Sequence, residues 1–170
     1  EYYMRPSIII TLLALATALS SVTAGDSRTT YNITDYGAVA DGKTLCSPAI
    51  QSAIDASHQA GGGRVVIPSG SHLSGGLELK DNVELHLSKG AILLGSTQHD
   101  DYPTFNPEYR SHKDMNGFNA LIYAEKAKNI AITGTGTIDG QGALQLPREG
   151  KQFTSDRDGR PRNILFVSCQ

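Results

Sequence analysis

Beyond residue 63 the apolar positions come in short bursts. Leu77-Glu78-Leu79, Val83-Glu84-Leu85-His86-Leu87 and Ile130-Ala131-Ile132-Thr133 alternate or nearly so, whereas Ala91–Leu94, Leu121–Tyr123 and Ile164–Val167 are unbroken apolar runs. Alternation predicts a strand buried on one face, and an unbroken run predicts a fully buried strand. Turn residues separate the bursts: Ser69-Gly70, Gly75-Gly76, Asp81-Asn82, Lys89-Gly90, Gly134 to Gly136 and Asp139-Gly140. One earlier stretch has a helical period. Ser47 is placed as its N-cap and Pro48 as its first residue. Ala49, Ile50, Ala53, Ile54, Ala56 and Ala60 then line one face, and Gly61-Gly62-Gly63 stops the helix. The order helix, glycines, strand is the reverse of a phosphate-binding loop, so no nucleotide site is expected there.

The bursts repeat. Asn82-Val83-Glu84-Leu85 recurs as Asn129-Ile130-Ala131-Ile132 and as Asn163-Ile164-Leu165-Phe166, at spacings of 47 and 34 residues. Two polar, proline-containing segments, Ser96 to Phe118 and Gln141 to Arg162, account for the irregularity. Without them the unit is about 20 to 26 residues, the length of a solenoid repeat. The predicted fold is all-β: a right-handed parallel β-helix with the Ser47–Ala60 helix capping its N-terminal end. An antiparallel sandwich is the alternative, and the repeated Asn and the unbroken apolar runs speak against it.

The N-terminus changes the picture of where the protein works. Met4-Arg5 precedes a mostly apolar run from Ile8 to Leu19, and Val22 and Ala24 are small residues before Gly25. This is the pattern of a cleaved export signal over 1–24, leaving 25–170 as the mature chain. The apolar run is too short to span a bilayer comfortably. A secreted or periplasmic location follows, with no membrane association after cleavage. Cys46 and Cys169 could pair in such a compartment, but two buried free thiols are the favoured reading, since free Cys is among the most buried residue types. Asn32-Ile33-Thr34 is a glycosylation sequon, relevant only in a eukaryotic secretory pathway.

Composition narrows the function. Fifteen basic against 17 acidic residues, a net charge of −2, exclude a strongly basic nucleic-acid binder. His58, His72, His86, His99 and His112 are scattered and show no i, i+4 pair, so they give little support to a zinc site or a catalytic triad. His86, between Leu85 and Leu87, should face outward. Asp100-Asp101 lies in a loop before Tyr102-Pro103 and reads as a solvated loop start, not a catalytic pair. Asp35, Asp41 and Asp139 read as turn or cap residues.

These stretches together resemble a known family. Ile33-Thr34-Asp35-Tyr36-Gly37-Ala38 with Asp41-Gly42-Lys43-Thr44, Gly61 to Pro68, Gly90-Ala91 to Gly95-Ser96, Asp101-Tyr102-Pro103, Gly136-Thr137-Ile138-Asp139-Gly140-Gln141-Gly142 and Arg160-Pro161 to Cys169 are similar to the N-terminal part of glycoside hydrolase family 28, the polygalacturonases, within the pectin-lyase-like β-helix superfamily. The likeness runs from about Tyr31 to Gln170. The family often has Trp soon after the Gly-x-Gly, where this chain has Ala143-Leu144-Gln145-Leu146 and no Trp at all, which leaves the substrate open. The resemblance implies inverting hydrolysis of α-1,4-galacturonosyl bonds, with no metal or other cofactor. It also implies that the catalytic carboxylates sit on later coils. No residue here is therefore assigned as catalytic, and the chain reads as an inactive N-terminal fragment, its β-helix truncated, of an enzyme that is monomeric at full length. The expected partner is pectin or a similar acidic polysaccharide. In the first insertion Tyr109, Arg110 and Lys113 are assigned to substrate binding, because Arg pairs bidentately with a carboxylate and aromatics stack on sugars. The rival readings are a pectate or pectin lyase of the same superfamily and a non-catalytic β-helix binding or adhesion protein.

Overall fold

A computed structural model describes residues 28–108, 119–144 and 160–170. The strands are β1 (Thr30–Asn32), β2 (Asp41–Leu45), β3 (Gly63–Ile67), β4 (Gly70–Ser74), β5 (Leu77–Glu78), β6 (Val83–Leu87), β7 (Ala91–Gly95), β8 (Ala120–Glu125), β9 (Ala131–Gly134), β10 (Thr137–Asp139) and β11 (Arg162–Val167), with one helix, α1 (Ser47–Gln59). They form three sheets, in which every pairing is parallel: sheet A in the order β1-β3-β6-β9, sheet B in the order β2-β4-β7-β10, and sheet C in the order β5-β8-β11. The chain visits A, then B, then C, and starts again one strand higher. This is a parallel β-helix.

The first complete turn has the predicted length. Gly63 pairs with Val83 and Gly70 with Ala91, so one coil takes 20 to 21 residues. In each of the next two coils one long segment intervenes, both times at the same corner. One lies between β7 and β8 and the other between β10 and β11, so each joins sheet B to sheet C.

Alternation decides what fills the interior. In β3 and β7 residues one, three and five are buried and the others half-exposed. Val65, Ile67, Leu85, Leu93, Leu77 and Ile122 are fully buried and stack as aliphatic layers along the axis, each contributing about 1.5–3 kcal/mol. β4 breaks the apolar rule, because its inward residues are His72 and Ser74, both with no exposed surface.

Helix α1 closes the N-terminal end of the stack through Ile50, Ala53, Ile54 and Ser57. Ser47 does not cap it. The N-cap is Cys46, which makes no side-chain cap bond, and Ser47 is the first helical residue. Its hydroxyl instead accepts from the Gly75 backbone N–H at 2.6 Å, because that coil passes directly beneath. Gln51 brackets Glu78, donating to its carbonyl and accepting from its N–H, and Asp55 pairs with Lys80 at 2.7 Å. The glycines after the helix are used as expected: Gly61 and Gly62 both have positive φ. A Cβ on Gly62 would lie 2.5 Å from that of Asn82.

The Asn repeat is only partly structural. Asn82 and Asn129 both adopt left-handed backbone at the corner from sheet C to sheet A, and Asn129 Nδ2 donates to Asn82 Oδ1 at 3.1 Å. Asn163 belongs elsewhere. It lies inside β11 on sheet C, so the third copy is a coincidence of sequence and not a third rung. Both cysteines are free, Cys46 buried and Cys169 partly so. No helix among the described residues is long and apolar enough to cross a membrane.

Candidate substrate-binding face

The first insertion lies against the outer face of sheet C. Its described part, 96–108, begins with Ser96, whose N–H donates to Ser74 O at 2.7 Å and whose hydroxyl donates to the Asp101 carboxylate. A short 3-10 turn, His99–Asp101, follows. Tyr102 is buried and its hydroxyl donates to Ser96 O at 2.8 Å, while Gly76 N–H donates to Asp101 O. The Asp100-Asp101 pair therefore sits in a loop, as the sequence predicts, and Asp101 holds that loop in place.

From there the segment lies back over sheet C. Phe105 stacks on Tyr123 with ring centroids 4.0 Å apart and planes 13° from parallel. Tyr123 points outward from β8, since it pairs with Glu78 while its neighbour Ile122 pairs with the inward Leu77. Its hydroxyl donates to Glu125 at 2.8 Å, and the other Glu125 oxygen accepts from the Glu108 N–H at 2.7 Å. Burial first, and then the Glu125 charge, hold the Tyr123 hydroxyl well above the usual range of a phenol. A groove of about 370 Å³ beside this staple is lined by Glu108, Glu125, Lys126 and Ser168. Lys126 is ion-paired with Glu108.

Sheet B, the neighbour of sheet C along the chain, is half-exposed on its outer side among the described residues. Pairing places its outward side chains in two columns across four coils: Asp41, Ser71, Ile92, Thr137, and Leu45, Leu73, Leu94, Asp139. Leu45 is 39% exposed, and Leu73, Ile92 and Leu94 are half-buried. Asp41 accepts from the backbone N–H groups of Thr44 and Lys43, which lower its pKa to about 2. Asp139 accepts from the Gln141 N–H at 2.9 Å, the turn role expected of it.

Sheet A carries a polar spine on its outer face. Glu84, 6% exposed, meets Arg28 on one side and Arg64 at 3.1 Å, and Thr133 donates to it at 2.6 Å. Burial pushes the Glu84 carboxyl up, but the Thr133 hydrogen bond and the Arg64 and Arg28 charges outweigh it, and the net shift is downward. His86 faces outward as predicted, with Nδ1 2.8 Å from Thr133 Oγ1. The threonine proton goes to Glu84, so His86 Nδ1 is the donor in that contact. Aligning Asn82 with Asn129 in the sequence already sets Thr133 over His86, which is the signal for this contact. The sheet B columns had no such signal, because β2, β4 and β10 are too polar to read as strands.

Tyr109, Arg110 and Lys113 lie outside the described residues. So do the segment 1–24 and the second insertion from 145 to 159, with its Arg148, Lys151 and Arg157. Among the described residues no cluster of three or more His, Cys, Asp or Glu is placed to hold a metal ion.

Three sheets with every pairing parallel define a protein of the parallel β-helix class. The chain belongs to the rhamnogalacturonase A/epimerase, pectate lyase-like family, whose profile matches residues 30–168. It is similar to the exo-poly-α-D-galacturonosidase of Dickeya chrysanthemi, 42% identical over 118 residues, which are 65% of this chain and 19% of that protein. It is also similar to the mannuronan C5-epimerase AlgE1 of Azotobacter vinelandii, 52% identical over 140 residues, 80% of this chain and 10% of that protein. Among solved structures, the family 28 exopolygalacturonase of Yersinia enterocolitica matches with a TM-score of 0.61 at 40% identity, over 77% of this chain and 24% of that one. The chain thus spans a quarter or less of the length of these relatives. Their names place them on acidic uronate polysaccharides.

Proposed function

We propose that this chain forms the N-terminal coils of an exported, polygalacturonase-like glycoside hydrolase acting on α-1,4-galacturonosyl bonds of pectin. The observation that carries this reading is the pairing of 40% identity with a TM-score of 0.61 to a family 28 exopolygalacturonase. In such chemistry one carboxylic acid protonates the leaving oxygen and a carboxylate across the sugar activates water, giving inversion. Those groups are assigned to coils beyond Gln170. The present coils supply sheet B, and Tyr109, Arg110 and Lys113 of the first insertion are our candidates for contact with uronate. The export signal over 1–24 puts the enzyme in the periplasm or outside the cell, where pectin is met.

A second reading is mannuronan C5-epimerase, favoured by the 52% identity to AlgE1. The test is to read the coding sequence past Gln170 and assay the encoded protein on polygalacturonate and on mannuronan. New reducing ends from polygalacturonate, with the inverted anomer appearing first, support hydrolysis. C5 inversion in mannuronan without chain cleavage overturns it in favour of the epimerase.

A further inference from the structure

We infer that β2 is built to refuse a further strand, so that a second copy of this chain does not stack its last coil on the first coil of this one. β2 and β10 are the end strands of sheet B, and each has a single strand neighbour among the described residues. Every pairing in the sheet is parallel, so β10 of one copy has the direction and the alternation needed to continue the sheet beyond β2 of another. That contact is heterologous and does not close, and its repetition makes a filament. An end strand with a free row of N–H and C=O groups invites it.

The sequence of β2 breaks up that row. Asp41 pairs with Ser71 and Leu45 with Leu73, so four steps along β2 match two along β4, and two residues are surplus. The strand bulges over Gly42, Lys43 and Thr44 to hold them, and Gly42 turns the chain there with φ at 67°. The Asp41 carboxylate folds over the bulge. Its Oδ1 accepts from the N–H groups of Lys43 at 2.8 Å and Thr44 at 2.7 Å, and its Oδ2 accepts from the Thr44 hydroxyl at 2.7 Å. In a regular strand consecutive N–H groups point to opposite sides, one of them toward the free edge. Here both are used within the strand. An incoming strand would meet the Asp41 carboxylate and the exposed Lys43 side chain, and it would have to strip water from both. Sheets A and C are closed differently at this end. Helix α1 packs against β1, β3 and β5, and Gln51 takes both backbone groups of Glu78 on β5. On sheet B the bulge does this work.

The test deletes Lys43 and Thr44 from the full chain. Asp41, Gly42 and Leu45 then stand opposite Ser71, His72 and Leu73 with nothing left over, and the strand is regular. Asp41→Ala is the second variant, which keeps the length and frees the two N–H groups. Sedimentation and electron microscopy at matched concentrations count regular, unbranched filaments. The deletion should raise the filament fraction at least about tenfold over the unaltered chain, and Asp41→Ala should raise it by a smaller factor. Hydrogen exchange in the filaments should show the β2 and β10 amides protected together. Asn82→Ala, on another sheet, is the control for lost stability, and circular dichroism confirms that each variant is folded. Filaments of the unaltered chain with β2 protected overturn the inference. So do filaments from Asn82→Ala, which would make any destabilisation sufficient, and so does a folded deletion variant that forms none. If the deletion does not fold, Asp41→Ala decides by the same outcomes.

Discussion

The Thr133 hydroxyl donates to the Glu84 carboxylate at 2.6 Å across two stacked coils of sheet A, although the two residues are 49 positions apart. Glu84 is thereby a hub. Arg28 reaches it from before the first strand, Arg64 from the next coil and Thr133 from the last coil described. Four successive coils are tied through one nearly buried carboxylate. Removing it takes away one nearly buried acceptor that serves Arg28, Arg64 and Thr133, so Glu84→Ala should destabilise the fold by about 2–3 kcal/mol, and Thr133→Val by about 1 kcal/mol. Urea unfolding of both variants checks this. A smaller loss for Glu84→Ala than for Thr133→Val would show that the hub is not where the stability lies.

The same carboxylate sets a pH dependence. Its folded pKa is depressed, so its stabilising contribution is complete above the unfolded value of about 4.5 and is lost as the pH falls through the lower folded value. Thermal unfolding should show a fall in Tm on acidification below about pH 4.5, smaller in Glu84→Gln. An unchanged acid limb in that variant would assign the loss to other carboxylates.

His72 acts in a different window. Its ring is fully buried on β4, Nε2 lies 3.1 Å from Pro68 O, and Nδ1 has no hydrogen-bond partner among the described residues. Burial lowers its pKa, only partly offset by the Pro68 carbonyl. The unfolded chain takes up a proton near pH 6.5 and the folded one does not, so stability declines as the pH falls below about 6.5. A leucine at this position packs against Leu93 in the next coil and has no proton to bind. His72→Leu should flatten the Tm profile between pH 6.5 and 5, and a slope as steep as that of the unaltered chain would rule His72 out as its source.

What could be read in the sequence tracks how each strand is buried. β6, β7 and β8 are legible because their inward positions are Val, Leu, Ile and Ala. β4 is not, since Gly70-Ser71-His72-Leu73-Ser74 hides two polar residues inside and shows a leucine outside, the reverse of the usual pattern. The Asn motif reports left-handed backbone at Asn82 and Asn129, where a short amide tolerates positive φ. At Asn163 the same letters sit in an extended strand, because the motif does not encode which sheet the chain has reached. The outer columns of sheet B escaped the sequence for a related reason. Ser71, Ile92 and Thr137 become neighbours only through pairing between coils, whereas the aromatic and basic residues of the first insertion stand out in one line of text.

The Asn82–Asn129 contact gives a separable prediction. Asn82→Ala removes the amide acceptor and leaves a β-carbon in the left-handed region, so a loss of about 1–2 kcal/mol is expected. Asn82→Gly removes the same acceptor and relieves the backbone, and should lose less. If the two variants are equally stable in urea unfolding, the backbone conformation contributes nothing and the amide contact carries the whole effect.

The last described coil carries the prediction with the largest practical consequence. Ile164 and Phe166 pair with the inward-facing Ile122 and Ala124, so they occupy core positions, yet they are 45% and 42% exposed. On the preceding coil the equivalent residues have no exposed surface. Beside them β9, β10 and β11 each have a strand neighbour on one side only, so an edge of unpaired backbone surrounds an apolar floor. Such an edge recruits other strands and promotes association. Residues 25–170 expressed alone should elute as soluble aggregates or precipitate, with no hydrolysis of polygalacturonate. Ile164→Thr with Phe166→Thr should shift the material toward monomer, because threonine keeps the strand propensity and removes apolar surface. The test is size-exclusion chromatography with light scattering at several concentrations. A monodisperse unaltered segment would mean that the exposed coil rearranges to cover Ile164 and Phe166, and an aggregate untouched by the double variant would move the sticky surface elsewhere on the solenoid.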